Sequence, residues 1–172
     1  PLIGETARYG IKAIFLDDTR WKRRDMKTTQ LLSQALAYRA ARDAGAETAF
    51  MVEDGHVTEA ASANAWIVDG EGQLVTRDLS PSILPGITRA GVLDLLEGSG
   101  LHLVERAFTP EEALASKEAF TTSAGAMIAP VIAIDGQAIG TGKPGPVTRQ
   151  VQRLYYQAMG ADVAAVAPWT LG

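Results

Sequence analysis

Between Thr48 and Arg77 the chain is cut too often to form one long element. Apolar stretches of four to six residues are separated by turn signals. Thr48 to Val52 is strand-like, Asp54-Gly55 follows, then Val57 to Ala60 and Ala63 to Val68. Asp69-Gly70-Glu71-Gly72 turns the chain into Gln73 to Arg77. Asp-Gly between β-prone runs signals a hairpin, because both turn residues need positive φ, which glycine adopts freely and aspartate tolerates. The spacing predicts a meander of short antiparallel strands.

The remaining segments alternate. Ile11 to Asp17 reads as a strand. Leu32, Ala35, Leu36 and Ala40 recur at helical spacing and predict a helix over 30–44, stopped by Gly45. The loop Ser80 to Gly86 leads to a helix over 88–97, and 102–107 reads as a strand. Thr109-Pro110-Glu111-Glu112 is a capping box with proline at the first helical position. Residues 119–122 and 127–134 read as strands, with Asp135-Gly136 opening another hairpin. After the turn-like stretch Gly140 to Pro146, Val147, Val151, Leu154, Tyr155 and Ala158 mark an amphipathic helix. The expected fold class is α+β, with antiparallel-rich sheets and packed helices.

Composition narrows the chemistry. The net charge of −4 makes nucleic acid an improbable partner, and the basic run at 20–27 is the only cluster of its sign. The chain has no cysteine and only two histidines, His56 and His102, which excludes thiolate metal sites and disulfides. No apolar run reaches the ~20 residues of a membrane span. No signal peptide opens the sequence, so a cytoplasmic location is expected. Lysines, carboxylates and hydroxyls are left to carry any reaction.

Three places stand out, each with an ordinary structural reading beside the chemical one. Lys27 follows a strand and loop and precedes an apolar helix, with Arg23 and Arg24 nearby. Neighbouring cations favour a neutral, nucleophilic amine that can form a Schiff base; otherwise Lys27 is a solvated lysine at a helix start. Glu59 interrupts an apolar pattern among small residues, or is a solvent-facing strand residue. Pro85-Gly86-Ile87-Thr88-Arg89 offers backbone N–H groups at a helix start, an anion site, or is a plain loop with Thr88 as N-cap.

Taken together, four ordered motifs carry a resemblance. They are Arg20-Trp21-x-Arg23-x-Asp25-Met26-Lys27, Asp54 to Asn64, Leu84 to Arg89, and Gly142-Lys143-Pro144-Gly145-Pro146-Val147-Thr148. The chain resembles the fold type IV (class IV) pyridoxal-phosphate aminotransferases from about Ile11 to Tyr156, most of all the D-amino acid branch. Branched-chain transaminases and aminodeoxychorismate lyases share the lysine, the glutamate and the Gly-Ile-Thr-Arg turn, and stay open as alternatives.

The resemblance implies pyridoxal 5′-phosphate as cofactor and transamination between a D-amino acid and a 2-oxo acid. By residue, it implies Lys27 as the Schiff-base lysine and Glu59 as the carboxylate facing the ring nitrogen. It implies Leu84 against the ring face, Ser62 as a hydroxyl supporting the ring, and Ile87 and Thr88 as phosphate ligands. Ser123 and Ala124 match a second phosphate-binding turn, with Ala124 where the family often has threonine. It further implies a homodimer and a preceding N-terminal domain that this sequence does not contain. Residues 1–10 are then expected as linker, 11–160 as the cofactor domain and 161–172 as a tail. A catalytically incomplete fragment is the remaining alternative.

Overall fold

A computed structural model describes residues 3–171. In chain order the strands are β1 (Ile11–Asp17), β2 (Thr48–Glu53), β3 (His56–Ala60), β4 (Asn64–Val68), β5 (Leu74–Thr76), β6 (Leu103–Glu105), β7 (Glu118–Ser123), β8 (Met127–Ile134) and β9 (Gln137–Ala138). The helices are α1 (Glu5–Tyr9), α2 (Leu32–Asp43), α3 (Ile87–Leu96), α4 (Pro110–Ala115), α5 (Pro146–Ala158) and α6 (Val163–Val166). The strands form one sheet in the order β3-β2-β1-β8-β7-β4-β5-β6, with β9 paired to β8.

The α+β class holds, but the sheet is mixed rather than a run of antiparallel meanders. β1 lies parallel to both β2 and β8, and β5 parallel to β6. The expected meander breaks after β3. Only a single bridge, Ala60 to Ala63, joins β3 to the start of β4, which instead pairs with β7 and β5. The sheet curls until its edges meet: Val57 N–H donates to Phe108 O, and Arg77 donates to Val57 O. These bonds cover part of the edge that an open sheet would expose.

Alternation along the strands divides the apolar residues between the inside of the curl and the helices outside it. Ala65 and Ile67 of β4 join Phe50, Val57, Phe108 and Val131 inside. Trp66 and Val68 face outward, with Phe120, Val92, Leu96 and Val151 under α3 and α5. Trp66 stacks on Phe120 at 5.4 Å, and its indole N–H donates to Thr122 Oγ1 at 2.9 Å.

One expectation changes here. Helix α2 forms, but its predicted apolar face does not enter a core. Leu32 and Leu36 are 74% and 60% exposed, while Ala37 and Ala41 pack against the sheet. Ala37 meets Ala49 and Met51 of β2, with Tyr38 half-buried beside them. Residues near both ends pack onto the body. α1 lies against β8, and Arg149 and Gln152 of α5 donate to Ala7 O at 2.8 Å. Val163 and Ala167 pack on Tyr156. Pro1, Leu2 and Gly172 lie outside the described residues.

Candidate active site

The C-terminal ends of several elements converge on a cavity of about 790 Å³. All eight residues singled out from the sequence line it: Lys27, Glu59, Ser62, Leu84, Ile87, Thr88, Ser123 and Ala124. They come from the loop after β1, from β3 and the turn after it, from the segment leading into α3, and from the end of β7. They are brought together from 98 residues of sequence by the curl of the sheet.

Glu59 is 4% exposed, so the solvent-facing reading does not hold. A β-bulge accounts for its direction. Phe50 pairs with Ala60 but Val52 with Val57, so Thr58 and Glu59 together oppose Met51. Strict alternation would have put Glu59 beside Val57, inside the curl. Its Oε1 receives Arg20 Nη1. Its Oε2 accepts from Asn64 Nδ2 and from Leu84 N–H, each at 3.1 Å. Burial pushes the carboxyl above the usual range, and Arg20 and the Leu84 amide pull against that shift.

Arg20 is itself anchored. Its Nε and Nη2 donate to the two oxygens of Asp18 at 2.9 and 2.6 Å. Thr58 Oγ1 donates to Asp18 at 2.6 Å and Arg24 approaches it at 3.3 Å. Burial opposes ionisation of Asp18, but these bonds outweigh it and hold its pKa low. Arg24 continues the chain to Glu53 at 2.7 and 2.9 Å. The sequence motifs contain Arg20 and Asn64 without a role for either, and Asp18 lies outside them. The signal available was a run of unlike charges next to a buried strand.

The ion pairs alter the argument made for Lys27. Arg23 is bound to Asp25, and Arg24 to Glu53 and Asp18, so both nearby cations are already paired. Lys27 is exposed at one side of the cavity, five residues before α2 rather than at its first turn. Across from it α3 begins. Gly86 is the N-cap, so Thr88 lies inside the first turn and is not the cap. The Ile87 and Thr88 amides find no acceptor among the described residues. With the helix dipole, they give this edge of the cavity positive character.

The hydroxyls are partly committed. Ser62 Oγ meets Tyr38 of α2. Ser123 Oγ accepts from Ala126 N–H at 3.1 Å and keeps its own proton to donate. Thr122, missed in the sequence, also lines the cavity one residue before Ser123.

The profile described as amino-transferase class IV matches residues 4–134. The chain is 40% identical over 155 residues to the D-alanine aminotransferase of Bacillus licheniformis, covering 90% of this chain and 54% of that protein. It is 34% identical over 139 residues to the branched-chain-amino-acid aminotransferase of Pseudomonas aeruginosa, covering 80% and 45%. The branched-chain amino acid aminotransferase of Thermobaculum terrenum in its PLP-form superposes with a TM-score of 0.80 at 28% identity, over 92% of this chain and 54% of that one. The chain therefore belongs to the class IV aminotransferase family. It spans about half the length of the curated relatives it matches.

Proposed function

We propose that this chain carries the pyridoxal-phosphate site of an aminotransferase that moves the amino group of a D-alanine-like D-amino acid to a 2-oxo acid. One observation carries the reading. A lysine, a buried carboxylate and two unpaired helix-start amides line a single cavity. These are the groups that a phosphorylated pyridine aldehyde needs: an amine for the aldehyde carbon, a carboxylate for the ring N–H and N–H donors for the phosphate. Bound pyridoxal phosphate supplies an electron-withdrawing ring that accepts the electron pair left when the substrate Cα–H bond breaks.

The chain's residues do the rest. Lys27 Nζ would hold the cofactor and would carry the proton that leaves the substrate Cα. Glu59 would keep a proton on the ring nitrogen. Ile87 and Thr88 would hold the phosphate, helped by Ser123 and the Ala124 turn. Leu84 would support the ring, as would Ser62, itself held by Tyr38. The choice of a D-amino acid rests on the D-alanine aminotransferase relatives. Residues 11–160 act as the cofactor domain.

Water must be kept from the broken Cα–H bond, yet Met26, Leu31, Leu32 and Ile87 are exposed around this cavity. A preceding domain and a second copy of the chain in a homodimer cover this rim in the working enzyme.

The test is an absorbance spectrum with added pyridoxal phosphate, then borohydride reduction and peptide mapping. A visible band that reduces onto Lys27, and is lost in Lys27→Ala, supports the reading. Label scattered over surface lysines counts against it. D-alanine and L-leucine, each with 2-oxoglutarate, then separate the D-amino acid reading from the branched-chain one.

A further inference from the structure

The carboxylate that faces the cavity is not held by the cavity alone. Glu59 and Asp18 are both buried, with side chains 5% and 0% exposed, and Arg20, 8% exposed, lies between them. Arg20 spends Nε and Nη2 on Asp18 and turns Nη1 to Glu59. Its backbone N–H also donates to Asp18, at 3.1 Å. The guanidinium is thus fixed at one end by a two-pronged bond, and it presents its remaining edge to one oxygen of Glu59. Asn64 and Leu84 take the other oxygen. The carboxyl plane is pinned from both sides.

The geometry points to Arg20 as the positioning residue of this site: anchored on Asp18, it holds Glu59 ionised and fixed in direction at the cavity wall. The physical reason is a competition. Burial favours the neutral carboxylic acid, and a guanidinium in direct contact favours the carboxylate. With a pyridine nitrogen opposite, the same competition decides where the shared proton sits. An ionised Glu59 leaves it on the ring nitrogen, whereas a carboxylic acid keeps it on oxygen and leaves the ring a poorer electron acceptor. That consequence rests on the cofactor reading given above. The ionisation of Glu59 is a property of this chain alone.

The experiment therefore begins without cofactor. The chain is labelled with ¹³C at the glutamate side-chain carboxyl, and the Glu59 resonance is assigned by its loss in Glu59→Gln. At neutral pH the unaltered chain gives a carboxylate shift. Arg20→Gln gives a carboxylic-acid shift, with the ionised fraction reduced about tenfold or more, as loss of one charge-assisted hydrogen bond implies. Because Arg20→Gln leaves two buried carboxylates facing each other, Asp18→Asn/Arg20→Gln is measured beside it. That pair removes one charge of each sign and keeps the buried balance. Arg20→Lys restores the carboxylate in part, although it cannot reproduce the two-pronged bond.

A Glu59 that is already protonated in the unaltered chain overturns the inference. So does one that stays ionised in both glutamine variants. Cofactor ¹⁵N-labelled in the ring is then added. Its nitrogen reads protonated in the unaltered chain and unprotonated in the glutamine variants. Identical nitrogen signals in all of them would reduce Arg20 to a packing role. Failure to form any band on Lys27 defeats the cofactor reading and leaves the carboxyl result standing.

Discussion

Helices α3 and α5 begin with nearly the same sequence. Pro85-Gly86-Ile87-Thr88-Arg89 opens one and Pro144-Gly145-Pro146-Val147-Thr148-Arg149 the other. In both, a glycine in extended conformation is the N-cap, so positive φ does not explain the glycine. Space does. A Cβ on Gly86 would lie 2.3 Å from Asn64 Oδ1, and one on Gly145 2.2 Å from Glu118 Cδ. The side chains above the two caps differ in charge. At α5, Glu118 accepts from Val147 N–H at 2.9 Å and Thr148 N–H at 2.7 Å, so the protein satisfies its own helix start. At α3, the neutral Asn64 points its amide at Glu59 and at Leu84 O and leaves the first amides facing the cavity. A helix N-terminus attracts an anion wherever it occurs; whether it becomes a site depends on whether the fold has already supplied one.

The largest effect that sharpens this contrast is on α5. Glu118→Ala leaves one buried and one half-buried amide without acceptors and is expected to cost about 2–4 kcal/mol in denaturant unfolding. Its effect on cofactor loading should be small. Gly86→Ala should invert that pattern. Displacing Asn64 costs about 1–3 kcal/mol as overpacking and should abolish the Lys27 absorbance band. If Gly86→Ala loads cofactor normally, the two helix starts do not differ in function.

Alkali separates the helices by a further increment. Burial pushes Tyr156, on α5, up to about 12. The unfolded chain ionises its tyrosines near 10, so the folded form is penalised as pH rises from about 10 to 12. At pH 11 the loss is about 1.4 kcal/mol, one pH unit past the ordinary value, and Tyr156→Phe should remove it. The smallest expected effect is Thr88→Val at α3. Loss of one neutral hydroxyl donor should weaken pyridoxal-phosphate binding by about threefold to tenfold in a spectral titration, with stability changed little.

Much of the candidate site could be read before folding was considered. Lys27, Glu59 and the Ile87-Thr88 turn stood out by residue type and neighbours, and the Thr109 capping box forms with both of its bonds. The hairpins at Asp54-Gly55 and Asp135-Gly136 form with all four residues at positive φ. What could not be read was mostly long-range. The partner of β4 is β7, more than fifty residues away, and no local pattern names it. The apolar stripe of α2 identified a helix correctly and its buried face wrongly. Periodicity records that a face is apolar, not what covers it.

Sequence alone determined the elements and the inventory of chemistry: a chain without cysteine, rich in short strands, with one lysine placed before a helix and one carboxylate among small residues. These follow from interactions over a few residues, where backbone sterics and side-chain type suffice. Tertiary structure decided which carboxylate became buried and aimed. The bulge at Thr58-Glu59 turned Glu59 out of the strand's phase, and the curl of the sheet brought the loop after β1 to it, so that Arg20 could reach it from Asp18. Direction and protonation of a buried group depend on what surrounds it from every side, and those surroundings come from segments that are distant in sequence.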